Sequence, residues 1–118
     1  MRVKRSVHAR KKRREVLERT KGFRGEANHN YKRAKEALIK AETYAYHDRR
    51  NRKRDFRRLW ITRINAAAKM NGMSYSQFMH GLKLAGVELD RKVLADVAVR
   101  DPETFRRFAE TAREAAAA

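Results

Sequence analysis

The sequence predicts an all-α protein in which an extended basic N-terminal arm and a long helix lead into a small C-terminal bundle of short helices. Three observations predict it. From Glu26 to Asn71 there is neither Gly nor Pro, and the stretch is rich in Ala, Lys, Arg, Glu and Leu, all good helix formers. After Gly72 the apolar residues recur at helical spacing in three short segments with clear cap residues. No sustained alternation of apolar and polar residues offers a strand.

The arm, residues 1–21, carries ten cations against Glu15 and Glu18, and its sizeable apolar groups are Val3, Val7, Val16 and Leu17. Burial of so little apolar surface does not offset the entropy of ordering, so the arm is expected to be disordered or loosely helical until a polyanion surrounds it. "KGFRG", with Gly22 and Gly25, supplies a swivel. The long helix follows, capped at its start by Asn28 or Asn30 and ended at Asn71-Gly72 with Gly72 left-handed. Run straight from Tyr31 to Met70 it would reach about 60 Å, so a large part projects from any core this chain can build. A bend near "HDRRN", where helix propensity is weakest, is the second expectation.

Ser74 and Gln77 form a capping box ahead of the stripe Tyr75, Phe78, Met79, Leu82 and Ala85, which stops at Gly86. Asp90 caps the next helix, Leu89 and Leu94 stand at staple positions, and Val93, Leu94, Val97 and Ala98 form its apolar stripe. Asp101-Pro102 starts the last helix, which buries Phe105, Phe108, Ala109 and Ala112 and is expected to fray in "EAAAA". About 60 residues are marginal as a domain, so Leu59, Trp60, Ile64 and Ala67 of the long helix are expected to complete this core. The expected division is residues 1–58 as a basic extension and residues 59–118 as the compact helical domain.

Charge points to the partner. The chain has 31 Lys and Arg against 14 Asp and Glu, formal net charge +17. Residues 1–58 hold 22 of those cations and 7 anions, whereas residues 59–118 hold 9 and 7. Such a surplus implies a polyanion, with nucleic acid foremost. Seven cations stand in the ten residues from Arg49 to Arg58. Advancing about 100° per residue, Arg49, Arg50, Lys53, Arg54, Arg57 and Arg58 spread over half the helix circumference and Arg52 falls outside that arc. A folded RNA can enclose such an element with backbone from several strands, whereas duplex DNA meets a helix from one groove, so RNA is favoured. Arginine suits bidentate phosphate contacts.

The expected RNA contacts are therefore Arg49, Arg50, Arg52, Lys53, Arg54, Arg57 and Arg58, then the arm cations Lys4, Arg5, Arg10, Lys11, Lys12, Arg13 and Arg14, with Lys21, Arg24, Lys32 and Arg33 between them. Tyr44 and Tyr46, two residues apart, point in nearly opposite directions on a helix and cannot both enter one core, so at least one is free to stack on a base. Phe23 and Tyr31 are similar candidates. Trp60 belongs chiefly to the core, and Arg63, one turn on, either lies over its ring or reaches RNA.

Other classes find little support. There is no cysteine, hence no disulfide or thiolate metal site, and no apolar run approaches a membrane span. The basic N-terminus has no apolar segment behind it, so no secretory signal is expected. His8, His29, His47 and His80 are scattered without a second ligand at metal spacing, and "KGFRG" is not a phosphate-binding loop. Asp48 and Asp55 are read as relieving repulsion rather than as acid and base. Neither a catalytic residue, a metal nor a cofactor is expected. Readings that share the charge are a DNA-packaging protein and a trans-acting translational regulator.

"KRDFRRLWITRINAAAK", residues 53–69, closely resembles the signature of the bacterial large-subunit ribosomal protein numbered twenty. The resemblance extends through "KGFRG" (21–25), "YKRAKEAL" (31–38), "YAYHDRRNRKRDFRRLWITRINAAA" (44–68), "SYSQFM" (74–79) and "AGVELDRKVLADVAVRDP" (85–102). His47 stands where Arg is common in that family, Leu84 where Lys is common, and the Ala-rich tail is individual. The resemblance implies direct binding to 23S ribosomal RNA early in large-subunit assembly, with the basic extension threaded into RNA and the helical domain at the subunit's outer side. It also implies neighbouring large-subunit proteins as partners, a cytoplasmic ribosomal location and no part in peptide-bond chemistry. Some members of that family repress their own messenger RNA.

Overall fold

The computed structural model describes residues 4–118, so Val3 lies outside the described residues. Five α-helices follow one another: α1 (Ser6–Arg19), α2 (Tyr31–Met70), α3 (Tyr75–Leu84), α4 (Arg91–Arg100) and α5 (Pro102–Ala117), with a 3-10 turn at Gly25–Asn28. Among the described residues there is no strand, as the sequence predicts. The chain divides into two compact units, Met1–Arg50 and Asn51–Ala118.

In the first unit the arm takes the helical one of its two expected states. Residues 6–19 form α1, although no residue of that helix is fully buried. The physical reason is a small apolar cluster that supports its C-terminal end. Thr20 and Ala34 are fully buried, and Val16, Leu17, Phe23, Ala27, Tyr31, Ala37 and Leu38 are half-buried. The Thr20 hydroxyl donates to the Leu17 carbonyl at 3.3 Å, which satisfies this buried polar side chain. Arg13 stands over the Tyr31 ring with its guanidinium carbon 5.6 Å from the centroid, and Arg19 pairs with Glu42.

Helix α2 has the range the sequence predicts. Of the two candidate caps Asn30 serves, its side-chain oxygen accepting from the Lys32 backbone N–H at 3.2 Å. The helix is unbroken through His47–Asn51. It ends as expected: Gly72 takes φ +78°, and the Met73 N–H reaches back to the Ala68 carbonyl at 2.9 Å.

The second unit owns the larger core: Ile64, Ala68, Met73, Phe78, Leu82, Leu94, Ala95, Phe105, Ala109 and Ala112. Helix α5 packs on α3 and α4. The Phe78 and Phe105 rings stack with centroids 4.8 Å apart. Gly81 lets α3 approach α5 closely, since a Cβ there would run into the Ala112 carbonyl and side chain. All three expected caps are formed: the Ser74–Gln77 capping box, Asp90 accepting from the Val93 N–H at 2.8 Å, and Asp101 accepting from the Thr104 N–H at 3.2 Å.

Three details of the expected core differ. Leu59 is 40% exposed and Val93 43%, whereas Ala68 and Ala95 are buried; the faces of α2 and α4 are turned so that small residues enter the core. Ala85 is exposed at the end of α3. The tail does not fray before Ala117. Burial of Ala112 and donation from the Arg113 guanidinium to the Asn71 carbonyl hold the last turns.

Candidate nucleic-acid interface

The run from Arg49 to Arg58 occupies consecutive turns of α2, and every side chain in it is exposed. Four ion pairs exist among the described residues, Arg19–Glu42, Arg33–Glu36, Arg100–Asp96 and Arg106–Glu110, and none uses a cation of this run. Asp48 and Asp55 form no ion pair either, so they relieve the run only through its field. The one polar side-chain contact is local: Arg54 donates to the Asn51 side-chain oxygen at 3.4 Å. Seven cations without an ion-pair partner among the described residues give this stretch a strongly positive surface.

Tyr44 and Tyr46 are 56% and 47% exposed, so both, rather than only one, are available. Each is partly organised. The Lys40 ammonium lies 5.8 Å from the Tyr44 centroid, and the Arg50 guanidinium 4.6 Å from that of Tyr46, with the His47 ring edge-on to Tyr46. A cation held beside an exposed ring pairs a phosphate ligand with a stacking platform.

In the first unit Lys4, Arg5, Arg10, Lys11, Lys12, Arg13 and Arg14 are all exposed. The fold brings Arg10, Arg13 and Arg14 together with Lys21 around one open hollow of about 430 Å³. Arg24 and Lys32 are exposed beside it in sequence, and Arg33 is drawn 3.7 Å from Glu36. Phe23 and Tyr31 are partly taken up by the apolar cluster.

In the second unit Trp60 is half-buried against the core, as expected. Arg63 is exposed and lines a hollow with Trp60, Lys92, Arg100, Asp90 and Asp96. Lys92 and Phe56 were not singled out by sequence reasoning. The signal for Phe56 was present, since it stands four residues after Arg52 and four before Trp60. Lys92 had none, because only tertiary packing brings α4 beside α2.

Among the described residues no group of His, Asp and Glu is placed to hold a metal ion, and no helix is long and apolar enough to cross a membrane. The family model described as ribosomal protein L20 matches residues 2–108. The chain is 63% identical over 114 residues to the large ribosomal subunit protein bL20 of Roseiflexus sp. (strain RS-1), with 97% of each chain covered. It is 58% identical over 114 residues to that of Rubrobacter xylanophilus, covering 97% of this chain and 86% of the relative. With that of Thermotoga petrophila it shares 53% identity over 117 residues and 99% of each chain. A match of this length and identity, on a chain that is helical throughout its regular elements, means that the protein belongs to the ribosomal protein L20 family.

Proposed function

We propose that the chain is a structural constituent of the large ribosomal subunit that binds 23S ribosomal RNA directly and supports early subunit assembly. The observation that carries the reading is the run Arg49, Arg50, Arg52, Lys53, Arg54, Arg57 and Arg58, exposed and without an ion-pair partner among the described residues. Like charges four residues apart oppose the helix that carries them, so the arrangement favours a bound state in which phosphates lie on several sides. The arm cations from Lys4 to Arg14 extend the same chemistry. Residues 1–58 are the RNA-contacting extension in this reading and residues 59–118 its compact anchor. The relatives' description as large-subunit proteins supports the ribosomal, cytoplasmic setting and neighbouring ribosomal proteins as further partners. No catalytic step and no cofactor enters.

The test is the salt dependence of binding to large-subunit ribosomal RNA. Replacing Arg54, Arg57 and Arg58 together with Ala should weaken binding and lower the slope of log affinity against log salt by about 2 to 3, at 0.7–0.9 per phosphate contact. An unchanged slope overturns the assignment of these residues. In a sucrose gradient the protein should stay with large subunits through a salt wash that strips loosely bound basic proteins, and recovery with DNA instead would overturn the ribosomal reading.

A further inference from the structure

We infer that the second unit carries a binding site for one unstacked RNA base, formed by Phe56 and Trp60 and flanked by Arg52, Lys53 and Lys92. This inference rests on the RNA-binding reading above and adds a base-stacking contact to its phosphate contacts. Its starting point is Arg52, the cation that the arc of the basic run leaves out. With Arg49 as origin and about 100° per residue, Arg52 falls near 300°, Phe56 near 340°, Trp60 near 20° and Lys53 near 40°. The four therefore share one narrow face of α2. Lys92 of α4 closes that face into a cleft of about 330 Å³ lined by these five residues.

The lining is aromatic and cationic, with no carboxylate. Phe56 is 47% exposed, and the Phe56 and Trp60 rings lie 6.1 Å apart, tilted by 32°. A face meant only for phosphates gains nothing from an exposed phenyl ring, whereas a base gains a π-surface on which to stack. Arg52, Lys53 and Lys92 form no ion pair among the described residues, so they are available to the phosphates on either side of that base. The adjoining hollow shares Trp60 and Lys92 and adds Arg63 and Arg100, but Asp90 and Asp96 offset two of its three positive charges. The Phe56 side is thus the one suited to RNA.

Trp60 is the sole tryptophan, so its fluorescence reports the cleft directly. The full-length chain is titrated with a short single-stranded oligoadenylate and with an abasic ribose-phosphate strand of equal length. The oligoadenylate should bind about ten-fold more tightly than the abasic strand and quench Trp60 emission. Phe56→Ala and Phe56→Leu should reduce that preference, the Leu variant keeping the apolar bulk, while Phe56→Tyr retains it. Equal binding and quenching by the two strands, or full base preference in both Phe56→Ala and Phe56→Leu, overturns the base site and leaves the broader RNA-binding reading standing. Failure of both strands to bind at low salt overturns the two readings together.

Discussion

Residues 49–58 and 59–68 are consecutive stretches of one helix, yet in the first every side chain is exposed and in the second Ile64 and Ala68 are fully buried. Backbone hydrogen bonding is common to both, so the difference lies in what surrounds the side chains. The second stretch is held by its core: a buried Ile contributes roughly 1.5–3 kcal/mol, and Trp60, Ile61 and Ala67 add partial burial. The first has no such support. It carries four like-charge pairs at i,i+4, Arg49/Lys53, Arg50/Arg54, Lys53/Arg57 and Arg54/Arg58, each opposing the helix by about 0.2–0.5 kcal/mol. Its helicity is propagated from neighbouring turns rather than nucleated in place. The fold itself does not reward the composition of this segment.

The comparison can be broken from either side. The largest expected effect is on the apolar side: Phe78→Ala removes a fully buried ring stacked on Phe105 and should cost about 3–5 kcal/mol in urea unfolding. Next is Gly81→Ala, where the added Cβ meets the Ala112 backbone and should cost about 1–3 kcal/mol, read as a lower midpoint at unchanged urea slope. On the basic side, the combined Ala substitution of Arg54, Arg57 and Arg58 removes three of the four like-charge pairs and should leave stability unchanged or raise it by up to about 1.5 kcal/mol. A loss of more than that would mean these arginines are structural, and the contrast between the two stretches would collapse.

The smallest effect concerns Asp101. Its carboxyl is held below the ordinary value of 3.8 by hydrogen bonds from the Thr104 hydroxyl and backbone N–H. Depression of the folded-state value means that the contribution is present above pH 3.8 and is lost as the pH falls through the lowered folded value. Asp101→Asn should therefore flatten the acid limb of the stability curve below pH 4, roughly where the free carboxylate titrates, without moving RNA affinity.

Much of this was legible in the residues because it is local chemistry. The span from Tyr31 to Met70, the left-handed Gly72 and the caps at Ser74, Asp90 and Asp101 each depend on a few neighbours in the chain, and all are present. The exposure of the Arg49–Arg58 run was legible for a similar reason: seven cations in ten residues leave nothing apolar enough to bury there but Phe56. Ala68 and Ala95 in place of Leu59 and Val93 were not legible, since a stripe read at helical spacing is uncertain by about one position and the choice rests on the packing of the whole core. Nor was the support of α1. Its support comes from Thr20, Ala34 and the Arg19–Glu42 pair, which join residues distant in sequence.

The sequence by itself determined that the protein is helical, where its longest helix starts and stops, and that one half carries most of the positive charge, because propensity, capping and charge act over a few residues. Only the tertiary structure decided which small residues fill the core, that the last turns hold through Ala112 and Arg113, and that Lys92 stands beside Phe56 and Trp60. Those outcomes depend on side chains that meet through folding, where shape and distance rather than spacing select the partner.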